Sequence, residues 1–213
     1  MLTVKRFIFN PIQENTYVVY NAKDACAIID PGCYFPEENQ SLDNWLKEAR
    51  LRPNILLNTH CHLDHVFGNK WVAEQYGLAL QMGEKELWTF KFAPESGKRW
   101  GIPFENYSGN INFLKEGDKV ILGEDKLEVL FTPGHSVGHI VFYNHKQGFV
   151  IGGDVLFRMG IGRTDIPGGD TGILLKSISE KLMTLPDEVI VYPGHGEPTT
   201  IGYEKENNPF LAK

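Results

Sequence analysis

The chain has 213 residues, a formal net charge of −6 and a hydrophobic fraction of 42%. This length and composition fit one soluble globular domain, or one domain built from two similar halves. Nucleic-acid binding depends on many basic contacts to phosphates, so an acidic chain without a long run of Lys or Arg predicts no nucleic-acid partner.

The sequence also predicts no attachment to a membrane. No apolar stretch approaches the ~18 residues that span a bilayer, and the N-terminal segment lacks a signal-peptide cleavage pattern. Three cysteines without a regular spacing, Cys26, Cys33 and Cys61, indicate free thiols in a reducing compartment. We therefore expect a cytoplasmic protein.

Strand and turn signals alternate along the first part of the chain. We predict strands over residues 2–9, 16–20 and 25–29. Helical spacing of apolar residues predicts a helix near residues 41–51, with Ser41 as its N-cap. A short apolar strand over residues 54–58 runs into a His-rich segment, and a helix over residues 66–76 follows it.

The middle segment, residues 93–109, is rich in Gly, Pro and Ser and predicts a long surface loop that could line a substrate cleft. The second half then repeats the alternation, with strands predicted over residues 119–122, 126–131, 139–143, 149–151 and 188–192. A helix is predicted from Asp170 to Met183. Alternating strands and helices predict an α/β fold of two sheets packed face to face with helices outside, which makes four layers.

The segment Thr59-His-Cys-His-Leu-Asp-His65 carries the strongest chemical signal. It brings three imidazoles and a carboxylate together directly after a predicted buried strand. Imidazole and carboxylate are ligands that zinc and related divalent metals prefer. Further ligand candidates, His135, Asp154 and His195, each follow another predicted strand, and functional groups of α/β folds gather at the carboxyl ends of strands.

The pattern Thr-His-x-His-x-Asp-His, then Pro-Gly-His, then Gly-Asp, then a final Gly-His resembles the metallo-β-lactamase superfamily. Within it, the chain is most similar to short bacterial glyoxalase II-like hydrolases, from the Asp30-Pro-Gly32 turn to His195. The resemblance implies a four-layer αββα sandwich. It also implies a single domain over residues 1–213, without the helical C-terminal domain of full-length glyoxalase II.

The resemblance further implies two divalent metal ions, with zinc expected and iron or manganese as alternatives. The implied ligands are His60, His62 and His135 for the first ion, Asp64, His65 and His195 for the second, and Asp154 as a bridge between them. Two adjacent cations lower the pKa of a bridging water to give a hydroxide, and they stabilise an oxyanion. Asp64 and Asp154 are therefore also the candidate catalytic residues.

Other residues are candidates for support or for substrate binding. His139 and Asp30 are expected to hold ligand side chains from behind. Arg163 is interpreted either as a surface cation or as a clamp for a substrate carboxylate. Phe157 and Tyr143 are interpreted as apolar walls of the cleft, with a place in the core as the alternative.

These expectations favour a thioesterase of glyoxalase II type that hydrolyses S-D-lactoylglutathione or a related small thioester. A mono-iron persulfide dioxygenase is the first alternative, and a lactonase, a β-lactamase or another ester hydrolase of the same fold is the second. A non-catalytic metal-binding or RNA-associated protein stays open as a third. The expected partner is a small-molecule thioester, and the sequence leaves the oligomeric state open.

Overall fold

The computed structural model of the protein describes residues 1–23 and 25–211. In chain order, its strands and helices are β1 (Thr3–Phe9), β2 (Glu14–Tyr20), β3 (Cys26–Ile29), α1 (Pro36–Glu48), β4 (Ile55–Leu57), α2 (Leu63–Val66), α3 (Asn69–Tyr76), β5 (Leu80–Gly83), α4 (Leu87–Arg99), β6 (Ile111–Leu114), β7 (Lys119–Leu122), β8 (Asp125–Phe131), β9 (Ile140–Asn144), β10 (Phe149–Gly153), β11 (Leu156–Phe157), β12 (Gly160–Ile161), α5 (Thr171–Ser177), β13 (Ile190–Pro193), β14 (Thr199–Thr200) and α6 (Ile201–Asn207). A single 3₁₀ turn at Glu84–Glu86 precedes α4, and a π-helical stretch at Ile178–Leu182 continues α5.

Two six-stranded sheets form the centre of the fold. The first has the strand order β1-β2-β3-β4-β5-β6; its first three strands are antiparallel, and β3 to β6 are parallel. The second has the order β14-β13-β10-β9-β8-β7 and is antiparallel except between β10 and β13. Strands β11 and β12 form a separate short hairpin.

The inner strands of both sheets, such as β2, β3, β9 and β10, are buried on both faces. In β2, Val18 packs on the helix side while Val19 faces the second sheet, because successive side chains of a strand point to opposite faces. In β9, Phe142 faces the first sheet and Val141 packs on the opposite side. The core between the sheets is therefore made of alternate residues from each strand.

Helices cover the outer face of each sheet. Leu42 of α1, Val72 of α3 and Phe90 of α4 pack on the first sheet. Leu174 of α5 and Ile201 of α6 pack on the second. This arrangement confirms the four-layer αββα sandwich. In the part of the chain that the structure describes, no helix is long and apolar enough to cross a membrane.

The first helix, α1, begins earlier than the sequence predicted. It begins at Pro36 rather than near Ser41, which lies within it. Pro is favoured in the first turn of a helix, where its missing N–H group has no partner to lose. The Glu38 carboxylate then accepts hydrogen bonds from the backbone N–H groups of Tyr34 and Phe35, at 2.7 and 3.0 Å. These bonds fix the chain as it enters α1.

The prediction of a loop over residues 93–109 is wrong for its first part, because helix α4 extends through these residues and ends at Arg99. Pro94 lies inside this helix and has no N–H group to donate to the carbonyl of Phe90. The side-chain amide of Asn106 donates to that carbonyl instead, at 2.7 Å. The segment beyond α4 thus supplies the hydrogen bond that the proline removes.

Other boundaries differ less. The predicted strands lie within about two residues of the observed ones. The predicted helix over residues 66–76 is split into α2 and α3 at Gly68. The sequence patterns did not indicate β5, β6, the two-residue strands β11, β12 and β14, or α6.

Candidate metal centre

Polar side chains follow the carboxyl ends of several strands, at one edge of the two sheets. Asp30 follows β3, His60 follows β4, His135 follows β8, Asp154 follows β10 and His195 follows β13. The first two come from the first sheet and the others from the second. The candidate centre therefore lies where the two sheets meet.

One group of ligand candidates consists of three imidazoles. Nδ1 of His62 lies 2.8 Å from Nε2 of His135, and Nε2 of His135 lies 3.2 Å from Nε2 of His60. The three nitrogens lie within 4.8 Å of one another, which is close enough to share one cation. His60 and His135 are buried and His62 is partly exposed.

The second group consists of Asp64, His65 and His195, whose ligand atoms also lie within 4.8 Å of one another. Oδ2 of Asp64 lies 3.1 Å from Nε2 of His195 and 3.7 Å from Nε2 of His65. Asp64 and His65 belong to the short helix α2, which presents both to the same edge.

Asp154 lies between these two groups. Its Oδ1 is 3.4 Å from Nε2 of His65, and its Oδ2 is 3.6 Å from Nε2 of both His135 and His195. One carboxylate thus reaches a member of each group. The structure brings together all seven side chains that the sequence indicated as metal ligands.

The chemistry of this donor set fits cations. Asp154 Oδ1 and His65 Nε2 are buried without a hydrogen-bond partner among the described residues. Burial, reinforced by the neighbouring imidazoles, lowers the pKa of His60 and brings that of His62 to about 3. Burial raises the pKa of Asp154, but the imidazoles of His65 and His195 lower it by more, so the pKa of Asp154 lies below its ordinary value. Burial lowers the pKa of His65 and His195, but the carboxylates of Asp154 and Asp64 raise both above the ordinary value. Metals bind neutral imidazoles and ionised carboxylates, so a cation at this centre would displace protons from these two rings.

Backbone and side-chain acceptors fix the rings of His60, His65, His135 and His195. The carbonyl oxygen of Arg163 accepts a hydrogen bond from Nδ1 of His135, at 2.8 Å. The carbonyl oxygen of Gln13 lies 3.2 Å from Nδ1 of His195. Because a carbonyl can only accept, the Nδ1 atoms carry the hydrogens, and the Nε2 lone pairs face the centre.

Asp30 plays this part for two histidines. Its Oδ2 lies 3.2 Å from Nδ1 of His65 and accepts a hydrogen bond from the Thr59 hydroxyl at 2.6 Å. The same hydroxyl oxygen lies 3.1 Å from Nδ1 of His60. Asp30 also accepts from the backbone N–H of Thr59 and the side chain of Asn58. We therefore interpret Asp30 as a support behind the rings, although its carboxylate is also within ligand distance of His60 and His65.

His139 supports the bridging position from the opposite side. Its Nε2 accepts a hydrogen bond from the backbone N–H of Asp154 at 3.1 Å, and its Nδ1 lies 3.2 Å from the Thr132 hydroxyl. The ring is fully buried and stacks on His60 with 4.8 Å between centroids. The structure thus places His139 behind the candidate ligands.

Glu86 is a residue that the sequence reasoning missed. Its buried carboxylate accepts hydrogen bonds from the backbone N–H groups of Cys61 and Gly138 and from the Ser136 hydroxyl, at 2.7–2.8 Å. Cys61 lies between two candidate ligands and Ser136 follows another. Glu86 therefore holds a histidine loop of the first sheet against one of the second.

The candidate centre opens into a cleft of about 480 Å³. Five candidate ligands line its base, namely His62, Asp64, His135, Asp154 and His195. Helix α4 forms one side through Trp88, Phe92 and Trp100. Phe157 and Arg163 lie on the other side.

The sequence of the chain matches the family model of the metallo-β-lactamase superfamily over residues 9–195. The chain belongs to the metallo-β-lactamase superfamily.

Relatives in this superfamily match along nearly their whole length. The hydroxyacylglutathione hydrolase GloC of Haemophilus influenzae is 39% identical over 93% of both chains. The probable metallo-hydrolase YqgX of Bacillus subtilis is 38% identical, over 97% of this chain and 96% of its own.

Two solved structures are also similar. The BLEG-1 B3 metallo-β-lactamase superposes with a TM-score of 0.91 at 36% identity, over 99% of this chain and all of the other. TTHA1623 in a di-iron-bound form has a TM-score of 0.88 at 36% identity, over 98% of this chain and all of the other.

Among the candidate substrate-binding residues of this superfamily member, Tyr143 needs a correction. It is buried in β9 and packs with the residues between the second sheet and its helices, next to His145. Since alternate residues of a strand point to opposite faces, its position places it in the core rather than along the cleft. Phe157, by contrast, lies in the cleft with its ring 6.2 Å from that of His195.

Arg163 lines the cleft, but its guanidinium already has a partner. Its Nε and Nη2 donate to the two carboxylate oxygens of Asp165, at 2.8 and 2.9 Å. This bidentate pair uses one edge of the guanidinium. The structure thus leaves Arg163 less free to hold a substrate carboxylate than the sequence suggested.

Proposed function

We propose that the protein is a di-metal hydrolase that cleaves thioesters in the manner of a glyoxalase II. The observation that carries this proposal is the position of Asp154 between two groups of three ligand candidates, at the base of an open cleft. The similarity to a hydroxyacylglutathione hydrolase over 93% of both chains supports a thioester as the substrate.

In this proposal His60, His62 and His135 would hold one cation and Asp64, His65 and His195 another, with the carboxylate of Asp154 available to both. Zinc suits a mixed imidazole and carboxylate set, and the di-iron form of the similar TTHA1623 makes iron the alternative. Two such cations, when bound, supply an activated water and stabilise the negative charge that develops on the attacked carbonyl oxygen.

The residues of the chain itself orient the centre. Asp30, with the carbonyls of Arg163 and Gln13, keeps the imidazole lone pairs directed at the cleft. Asp64 and Asp154 present carboxylates at its base, where we assign them to position the attacking water. The thiolate released from a thioester is a fairly stable anion, so this site has less need of a general acid than an amide-cleaving site.

The test is a substrate panel on protein whose metal content has been measured. The panel contains S-D-lactoylglutathione, an uncharged thioester, a lactone and a β-lactam, together with oxygen uptake on a persulfide. We expect about two metal ions per chain and the highest kcat/KM on a thioester.

Two outcomes would contradict the proposal. Fully metallated protein that hydrolyses no thioester would leave only the broader metallohydrolase assignment. One iron per chain with oxygen uptake on the persulfide would instead identify a dioxygenase.

A further inference from the structure

Helix α4 carries a stripe of aromatic side chains along the cleft. Trp88 and Phe92 lie one turn apart on α4, Trp100 caps its C-terminal end, and all three line the cleft. Trp88 is 52% exposed and Trp100 is 63% exposed. The rings of Trp88 and Phe92 stack with 5.3 Å between centroids and 6° between planes. A contiguous patch of exposed aromatic side chains often marks a ligand-binding or interaction site.

The stripe is continuous with the candidate metal centre. The same cleft is lined by the stripe and by five of the candidate ligands. From Trp88 to Trp100 the helix rises about 18 Å, at 1.5 Å per residue. A group bound along it can therefore extend well beyond the size of a lactoyl group while the reacting bond stays at the ligands.

The remaining walls of the cleft are also apolar. Ile12, Leu63, Phe157, Ile161, Ile166 and Pro167 also line it. Small-molecule sites are typically lined in this way, with a few polar groups where orientation is set.

The charges of the cleft do not favour a charged substrate tail. Among the described residues that line it, Arg163 is the only Lys or Arg, and its guanidinium is paired with Asp165. Arg99 lies over the ring of Phe92 at 5.2 Å and pairs with Glu95. A glutathione moiety carries two carboxylates, for which these paired cations are poor partners.

Hydrogen bonds anchor the helix that carries the stripe. Glu86 ties the start of α4 to both histidine loops, and Asn106 replaces the hydrogen bond that Pro94 removes. A wall that is already in place loses little conformational entropy when a ligand binds.

We propose that the Trp88–Phe92–Trp100 stripe binds an uncharged apolar group of the substrate, so that the enzyme prefers apolar thioesters to S-D-lactoylglutathione. This inference rests on the proposed function for the identity of the reacting bond. The apolar group belongs either to the acyl part or to the thiol part of the thioester.

Binding is tested with thioethers, which cannot be hydrolysed. Calorimetry compares the S-hexyl and S-methyl derivatives of N-acetylcysteamine on the metallated protein. Each methylene that leaves water adds up to about fourfold in affinity, so we expect the hexyl compound to bind at least about tenfold more tightly. Trp88→Ala and Trp100→Ala should remove most of this preference, and both side chains are exposed enough for the variants to fold.

Phe210→Ala is the matched control, because Phe210 is 56% exposed and does not line the cleft. It should keep the preference for the hexyl compound. Equal affinities for hexyl and methyl, or an equal loss in Phe210→Ala, would overturn the inference.

Selectivity in the reaction is tested with acetyl and hexanoyl thioesters of N-acetylcysteamine, and with S-D-lactoylglutathione. We expect kcat/KM for hexanoyl to exceed that for the other two by at least about tenfold, mainly through KM, and the Trp88→Ala/Trp100→Ala double variant to lose the difference. A second series, acetyl thioesters of alkyl thiols of increasing length, shows the same trend if the group belongs to the thiol part. Equal rates along both series would refute the proposal that the stripe binds an apolar group of the substrate.

The two proposals fail in different ways. Thioether binding that depends on the stripe, without hydrolysis of any thioester, would refute the proposed function and leave the apolar site in place. Hydrolysis without chain-length selectivity would refute the apolar site alone.

Discussion

At the scale of single residues, Asp154 and His139 allow a direct comparison, because they are hydrogen-bonded to each other but only Asp154 faces the cleft. Asp154→Ala should lower kcat by more than the roughly 10–100-fold that is typical for a residue behind a metal ligand. His139→Ala should fall within that range. Steady-state kinetics at matched metal content measures both, and equal losses would show that Asp154 has no bridging role.

Glu86 provides a second residue-scale prediction. Glu86→Gln keeps one carbonyl acceptor but places an amide nitrogen opposite one of the N–H donors, at Cys61 or at Gly138. We expect metal affinity to fall about 10–100-fold, measured by competition with a chromophoric chelator.

The control for this change is Glu95→Gln, on the exposed side of helix α4, which follows Glu86. It should leave the metal affinity unchanged. If Glu86→Gln binds metal as tightly as the unchanged protein, the carboxylate does not hold the histidine loops in place.

The ligand side chains could be predicted from the sequence and Glu86 could not. Closely spaced His and Asp residues after a buried strand are rare, so the segment from His60 to His65 indicates a metal site by itself. Glu86 lies in an ordinary charged stretch, Gly-Glu-Lys-Glu. Its role depends on contacts with residues 25 and 52 positions away. Only the packing of the two sheets creates those contacts.

At the scale of secondary-structure elements, α4 shows how tertiary contacts override local signals. Pro94 and Gly97 predict a loop, yet the helix continues to Arg99. Phe90 and Ala93 are buried in the core, and burial of this kind stabilises a helix beyond its intrinsic propensity. Longer strands such as β2, β8 and β10 were predictable, because local runs of apolar residues indicate them without knowledge of long-range contacts.

The hydrogen bond from Asn106 to the Phe90 carbonyl leads to an element-scale prediction. Asn106→Ala should lower the stability by about 0.5–1.5 kcal/mol, which corresponds to a Tm decrease of roughly 2–4 °C per kcal/mol for a chain of this size. In a Pro94→Ala background the restored N–H can donate to the same carbonyl, so Asn106→Ala should cost less. Thermal unfolding of the four proteins in this double-mutant cycle measures the coupling. If the two changes in stability are strictly additive, the side chain of Asn106 does not replace the hydrogen bond that Pro94 removes.

At the scale of the whole molecule, the candidate ligands come from both sheets. His60 and His65 follow a strand of the first sheet, and His135, Asp154 and His195 follow strands of the second. A metal that binds only the folded protein stabilises it by an amount that grows with concentration over Kd, about 4.1 kcal/mol at 1,000 times Kd.

Removal of metal by chelation should therefore lower the Tm as well as abolish hydrolysis, and added zinc should restore both. Differential scanning calorimetry on the chelated, untreated and reconstituted protein checks this. A Tm that does not respond to metal content would mean that the ligands do not join the two sheets.

The candidate metal ligands and the aromatic stripe lie on separate lengths of this chain. The proposed ligands lie in residues 60–65 and 135–195, whereas residues 87–131, all of them described, contribute none. The aromatic stripe lies within that second length. Natural variation or laboratory exchange of α4 and the residues up to β6 can thus redirect the enzyme to new compounds while the ligand set is inherited intact. Such a division favours the rapid divergence of specificity among relatives that share one reaction centre.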